Sequence, residues 1–375
     1  MTSGDLSLIM PLRLNSEGVF MKKKLVKFVS VLLMLAVVSG LCACDEFDDY
    51  DDYGNGNGNG YNDNYDDESD DDYDEDYDDY DDDSEDPTEA AGGTAVVSDF
   101  NAEQYPYYAV LDSKEKAVYS LLYEGLSKGS KKIDCQKAKA NESQLTKAID
   151  AVLNDHAELF WIDNQYEFTY DSGDEIIEDV TFDFFDFAST PDKLNAAKAA
   201  FEKAADDILA GIGSQKSAVE YERAIHDYIC KNTDYDESAP YNQSAYSVIV
   251  LHKSVCAGYS KAFQYLLNKK GITCYYIPGT TTDSSIGGED GAHAWNIIYL
   301  DGEYYNVDVL WDDSASETLE EDVYPFFNLT DSAFLYHTRD NLAQSLPKCT
   351  GTKYKYSNCF GKTVEVEELE FEDAA

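Results

Sequence analysis

The chain has 375 residues, a hydrophobic fraction of 43% and a formal charge of −47. It is long enough to bury a substantial core, and a charge of that sign excludes nucleic acid as a partner, because phosphate binding needs a basic surface. The acid is concentrated: between Asp45 and Asp86 there are 23 carboxylates and no Lys or Arg.

In chain order, the first legible segment is MKKKLVKFVSVLLMLAVVSGLCAC, residues 21–44. A basic start precedes an apolar run, Phe28 to Val38, which is too short to span a bilayer and fits a signal-peptide core. The run ends in Leu-Cys-Ala-Cys, similar to a bacterial lipobox. Cys44 is then expected to be the lipidated first residue of the mature protein, anchored to the outer face of a membrane. Residues 1–20 lack this character and read as an upstream extension, with Met21 the expected start. Residues 44–97 follow as a linker in which like charges repel and little apolar surface can be buried, so an extended, disordered spacer is expected. The carboxylates show no EF-hand spacing, and no metal or other cofactor is expected.

Folded sequence is expected from Ser98. LDSKEKAVYSLLYEGL (111–126) places Ala117, Val118, Leu121, Leu122 and Leu126 at helical spacing. LTKAIDAVLNDHAELFWID repeats that pattern, YEFTYD and DVTFDFFDFA alternate like strands, and KLNAAKAAFEKAADDILAGI is an amphipathic helix expected to close at Gly211. Residues 98–213 thus read as an N-terminal α+β subdomain. His156 within it has no neighbouring ligand or base and is expected to be structural or solvent-facing. A further helix, SAVEYERAIHDYICKN, carries His226 in register with Ile225 and Ile229, as a packed histidine, and Cys230 as a small buried hydrophobe.

The segment SVCAGYSKAFQYLLNKKGI places Tyr259, Ala262, Phe263, Leu266 and Leu267 on one helical face, with Ser254 as the expected N-cap and Gly271 near the C-cap. Cys256 then sits in the first turn, where free N–H groups and the helix dipole favour a thiolate and the Cys256 N–H can face an oxyanion. Taken alone, a buried structural cysteine is the favoured reading. A strand, TCYYIPGT, an acidic Gly-rich loop before His293 and HAWNIIYLDGEYYNVDVLWDD follow. Asp301-Gly302 between alternating runs is a hairpin signal. A two-residue turn opposes Leu300 to Glu303, Trp295 to Asp308 and His293 to Leu310. His293 and Asp308 become diagonal neighbours on one face, about 7–8 Å apart at Cα. A thiol needs a base to exchange its proton and a carboxylate to orient that base. Cys256, His293 and Asp308 supply these in order.

SVCAGYSKAFQYLL, GITCYYIPG, HAWNIIYLDGEYYNVDVLWDD and the upstream HDYICKNTDYD resemble the core of the transglutaminase-like superfamily, from about Val219 to Leu329 or Arg339. DHAELFW resembles a segment found ahead of that core. The resemblance implies a papain-like α+β fold and attack on a carboxamide or peptide carbonyl through a thioester. Cys256 would be the nucleophile, His293 the general base and acid, and Asp308 the residue orienting His293. Leu310 stands where the family often has Thr. For a side-chain oxyanion donor, Gln243 and Tyr246 are the candidates. The expected partners are a protein or peptide substrate, cell-wall peptide among them, and the membrane through the lipid. The expected core spans 214–340, with a C-terminal strand and tail at 341–375, where Cys349 and Cys359 are placed to form a disulfide. A non-catalytic surface binding module on the same fold is the alternative. A Cys/His metal site is disfavoured, since no CxxC is present.

Overall fold

The computed structural model describes residues 100–282 and 291–364, together with the backbone of one strand, β1 (Lys24–Ser30). A short α1 (Pro106–Ala109) leads into α2 (Ser113–Ser127), β2 (Lys132–Asp134), α3 (Glu142–Asp155), β3 (Ile162–Asp171) and β4 (Ile177–Phe184). α2 and α3 each start where a side chain satisfies free N–H groups of the first turn. Asp112 and Asn141 form capping boxes with Glu115 and Gln144, each cap worth about 1 kcal/mol. The strands form one antiparallel sheet in the order β1-β3-β4-β2. β1 pairs with β3 from Lys24↔Asp171 to Ser30↔Gln165 and falls within the expected signal peptide. Cys44 and the expected linker lie outside the described residues.

The long helix α4 (Pro191–Ile212) has Thr190 as N-cap and proline at its start. It does not close at Gly211. It runs to Ile212, and Gly213 supplies the left-handed φ of +72° that glycine adopts without strain. Then come α5 (Ala218–Asn232), β5 (Asp234–Tyr235), α6 (Ala245–Ile249), β6 (Lys253–Ser254), α7 (Cys256–Lys269), β7 (Cys274–Thr281), β8 (Gly291–Leu300), β9 (Glu303–Val307), α8 (Val309–Leu319), β10 (His337–Arg339) and α9 (Tyr356–Cys359). The second sheet has the order β10-β7-β8-β9, all antiparallel. Its β8–β9 pair runs from Leu300↔Glu303 to Asn296↔Val307, the register that the Asp301-Gly302 turn dictates, with φ of +50° and +92° at the two turn residues. The strand stops at Val307. Asp308 is the N-cap of α8 and Leu310 is helical, so the expected pairing of Leu310 with His293 does not form.

α7 packs its expected face inward: Tyr259, Ala262, Phe263, Leu266 and Leu267 are all fully buried, the larger ones contributing roughly 1.5–3 kcal/mol each. Gly271, at φ +75°, follows the last turn. A single apolar core runs from Tyr107 to Tyr356 across the expected boundary at 213/214. Hydrogen bonds cross that boundary too: Tyr107 Oη donates to the Tyr276 carbonyl at 2.8 Å, Ser244 Oγ to the Phe160 carbonyl at 2.7 Å and Gln264 Nε2 to the Asn154 carbonyl at 2.9 Å. Mixed helix and sheet in this arrangement make the chain α+β. Among the described residues no helix is long and apolar enough to cross a membrane.

Candidate active site

The site begins at the start of α7. Its N-cap is Val255, not Ser254, and no side chain caps the first turn. Ser254 lies in β6 instead, its Oγ donating to the Asn242 carbonyl at 2.8 Å and meeting Ser247 Oγ at 2.6 Å. Gly258 permits this packing. A Cβ there would lie 1.9 Å from Ser254 Oγ and 2.7 Å from the Asn242 carbonyl oxygen. The loop that carries Asn242 and Gln243 is thereby pressed against the first turn of α7. Cys256 is the first residue of that turn and is half-buried. An uncapped helix start presents free N–H groups and the positive end of the dipole to whatever lies before it.

β8 brings His293 to Cys256, and the β9–α8 junction brings Asp308. His293 Nε2 lies 2.6 Å from Asp308 Oδ2, with both side chains buried. With Nε2 engaged, Nδ1 is the nitrogen left to hydrogen-bond Cys256. Burial opposes a charge on His293, but the Asp308 carboxylate and the Cys256 contact outweigh it and push its pKa up to about 10. Asp308 uses both oxygens. Oδ1 accepts from the Trp311 backbone N–H at 3.0 Å, capping α8, while Oδ2 faces His293. Burial alone would raise its pKa. The flanking imidazoles prevail and hold the carboxyl well below the usual carboxylate range. An imidazole between a thiol and an oriented carboxylate can store a proton as imidazolium, return it to a leaving group and then accept another.

A residue that sequence reasoning did not mark also reaches this cluster. His337 Nε2 lies 3.0 Å from Asp308 Oδ2, and its Nδ1 lies 2.8 Å from the Leu335 carbonyl oxygen. Its ring stacks on Phe334 at 4.0 Å and is flanked by Trp311 at 4.3 Å and Trp295 at 5.0 Å. Both nitrogens face acceptors, so both contacts become hydrogen bonds together only in the doubly protonated ring. Burial opposes that state and holds the His337 pKa below the ordinary imidazole value. β10 sets its position by pairing His337 with Thr281 of β7. His293, Asp308 and His337 offer three ligand atoms within 4.8 Å of one another, a donor set a transition metal accepts. Here the carboxylate oxygen already sits at hydrogen-bond distance from both nitrogens.

Of the two oxyanion candidates, the structure brings only Gln243 to the nucleophile. A small cavity is lined by Gln243, Cys256, Ala257, Tyr276, Ala292, His293 and Ala294. Tyr246 is not among them. It stacks on Phe187 at 4.4 Å and packs against Phe160 at 5.5 Å, a core position. A cavity of about 980 Å³ is lined by Lys147, Asp150, Tyr170 and Asp340 among others and shares no residue with the Cys256 cavity.

His226 and His156 hold buried positions away from the Cys256 cavity. His226 is fully buried with Nε2 2.9 Å from Asp312 Oδ2, and burial lowers its pKa to about 4. His156 is buried between Tyr119 Oη at 2.8 Å and Glu158 Oε1 at 2.6 Å. Cys349 and Cys359, whose pairing the sequence left open, are free thiols. The acidic loop at 283–290 and, from residue 365 on, the final strand expected after Lys362 lie outside the described residues.

The family model of the transglutaminase-like superfamily matches residues 202–309, a span that begins within α4 and takes in Cys256, His293 and Asp308. That span is similar to a transglutaminase-like core. It is also 28% identical over 134 residues to the human kyphoscoliosis peptidase and 30% identical over 113 residues to the mouse protein of that name. These alignments cover 33% and 27% of the chain but only 20% and 17% of the two relatives. The chain therefore spans about a fifth of those proteins. Two solved structures are similar at low overlap. A TGase has a TM-score of 0.27 at 17% identity, covering 38% of the chain and 42% of its own length. A candidate cysteine protease from Cytophaga hutchinsonii has 0.25 at 16%, covering 36% and 51%. Within the matched span, α7 supplies the sulfur, β8 the imidazole and the β9–α8 junction the carboxylate.

Proposed function

We propose that the chain is a cysteine enzyme of the transglutaminase-like kind, acting on a carboxamide or peptide carbonyl outside the cell and tethered to the membrane through lipidated Cys44. The observation that carries this reading is the placement of His293 between Cys256 and Asp308 at an uncapped helix start. The Cys256 sulfur attacks the carbonyl carbon, forming a C–S bond and moving an electron pair onto oxygen. The tetrahedral adduct collapses as the C–N bond breaks, and the His293 imidazolium gives its proton to the departing nitrogen. The thioester that remains is resolved by water or by an amine, with neutral His293 accepting the proton of the incoming nucleophile. Asp308 holds the imidazole in the orientation that points Nδ1 at sulfur. Water as acceptor gives a peptidase or deamidase, and an amine gives a crosslinker. A protein or peptide substrate, cell-wall peptide included, suits this chemistry.

The test is alkylation of Cys256 by iodoacetamide across pH in the full chain and in His293→Ala. The expected result is rapid alkylation persisting to pH 6, where a free thiol of pKa ~8.5 has slowed, and loss of that acid-side reactivity in the variant. If both proteins alkylate like a free thiol, the non-catalytic binding module becomes the better account.

A further inference from the structure

The cavity beside Cys256 measures about 10 Å³, room for one water-sized group and therefore for one carbonyl oxygen. Its walls are largely small and apolar: Ala257, Ala292 and Ala294. Tyr276, from the middle of β7, also lines it and packs with Ala257, Ala294 and Cys256 in a separate small cluster. Tyr276 is fully buried, and its hydroxyl has no hydrogen-bond partner. Among the described residues lining this cavity, it is the only one with a buried side-chain polar atom left unpaired. An unpaired buried hydroxyl costs about 1–3 kcal/mol, and phenylalanine would fill the same space without that cost. The fold therefore tolerates an orphaned donor on a residue that lines a cavity of one-oxygen size, next to the sulfur that would attack the carbon bearing that oxygen.

We infer that the Tyr276 hydroxyl is a catalytic hydrogen-bond donor to the acyl oxygen of the substrate, acting with the Cys256 backbone N–H at the start of α7. The inference rests on the acyl-transfer reading above. As the C–S bond forms, the carbonyl π electrons move to oxygen and the hydroxyl donates to the resulting oxyanion without transferring its proton. When the adduct collapses, the oxygen regains its double bond and the donor is released. Burial raises the Tyr276 pKa well above its ordinary value, so the hydroxyl keeps its proton throughout the working pH range. Gln243, on the same cavity, borders the site from the loop side. The ligand class is any planar acyl group small enough at oxygen to enter: carboxamide, peptide or activated ester.

Two probes separate this role from the reading beneath it. Acylation by p-nitrophenyl acetate passes through an oxyanion, whereas alkylation by iodoacetamide displaces iodide and forms none. In the full chain, Tyr276→Phe is expected to acylate roughly 10²-fold more slowly, to alkylate within about twofold of wild type and to be at least as thermostable. Unchanged acylation in Tyr276→Phe overturns the inference. A loss of thermal stability in that variant overturns it too, by showing that the hydroxyl has a structural partner. If wild type acylates no faster than Cys256→Ala, the acyl-transfer reading itself has failed and the inference falls with it.

Discussion

His337 Nε2 lies 3.0 Å from Oδ2 of Asp308, the same oxygen that holds His293 at 2.6 Å. One carboxylate oxygen thus serves two imidazoles, one from the inner strand β8 and one from the edge strand β10. A hydrogen bond to a charged, buried acceptor is worth about 1.5–3 kcal/mol. His337→Phe should lower the melting temperature, by roughly 2–4 °C per kcal/mol in a domain of this size. His337→Gln, whose amide can still donate to Asp308, should recover part of the loss. Thermal denaturation of the two variants beside wild type decides it. Equal stability in all three would mean that the contact contributes nothing.

The pKa of His293, raised to about 10, carries a stability consequence of definite sign. The folded protein holds this proton more tightly than the unfolded chain, where histidine titrates near ~6.5. The stabilisation is fully present below pH 6.5 and is lost as pH rises through about 10. Urea unfolding at pH 7 and pH 10.5 should therefore show a larger alkaline loss in wild type than in His293→Gln. Parallel losses would mean that His293 is not the proton holder.

Gly258→Ala should disable the site from a distance. The added Cβ would meet Ser254 Oγ, Ser247 Oγ and the Asn242 carbonyl at 2.7 Å or less. Crowding of this kind costs typically 1–3 kcal/mol, and relief requires the Asn242–Gln243 loop to back away from Cys256. Chemical denaturation and iodoacetamide labelling should both fall. A variant with wild-type stability and labelling would show that the loop yields freely.

Cys349 and Cys359 should both alkylate in protein unfolded without reductant, and mass spectrometry would show two added groups on the C-terminal peptides. Cys349 is buried with Arg339 Nη2 3.5 Å from its sulfur, while Cys359 is exposed. A mass two units lower with no alkylation at either would reveal a disulfide.

Local chemistry made the cysteine, the imidazole and the carboxylate legible. Asp301-Gly302 fixes the hairpin register, and α7 follows from its apolar spacing. Errors arose where one residue decides between two local fates. Asp308 continues an alternating pattern on paper but accepts the Trp311 N–H and ends the strand. Ser254 resembles a cap but spends its hydroxyl on Asn242. Gly211 and Gly213 offer the same stop signal, and only the second takes positive φ. Gln243 and Tyr246 could not be ranked by position, because aromatic stacking claims Tyr246 and the cavity claims Gln243. His337 was invisible for a different reason. Its approach depends on β10 pairing with β7, and that long-range contact has no turn to announce it.

The hydrogen bond from Tyr107 to the Tyr276 carbonyl bears on what can be cut away. The strand that backs the reactive sulfur is braced by a residue outside the span of the matched family model. Trimming the chain to that span would strip the brace and expose one side of the shared core, so the smallest working unit is larger than the recognisable motif. The N-terminal half behaves as a keel, on which the strand beside the sulfur depends to keep its shape.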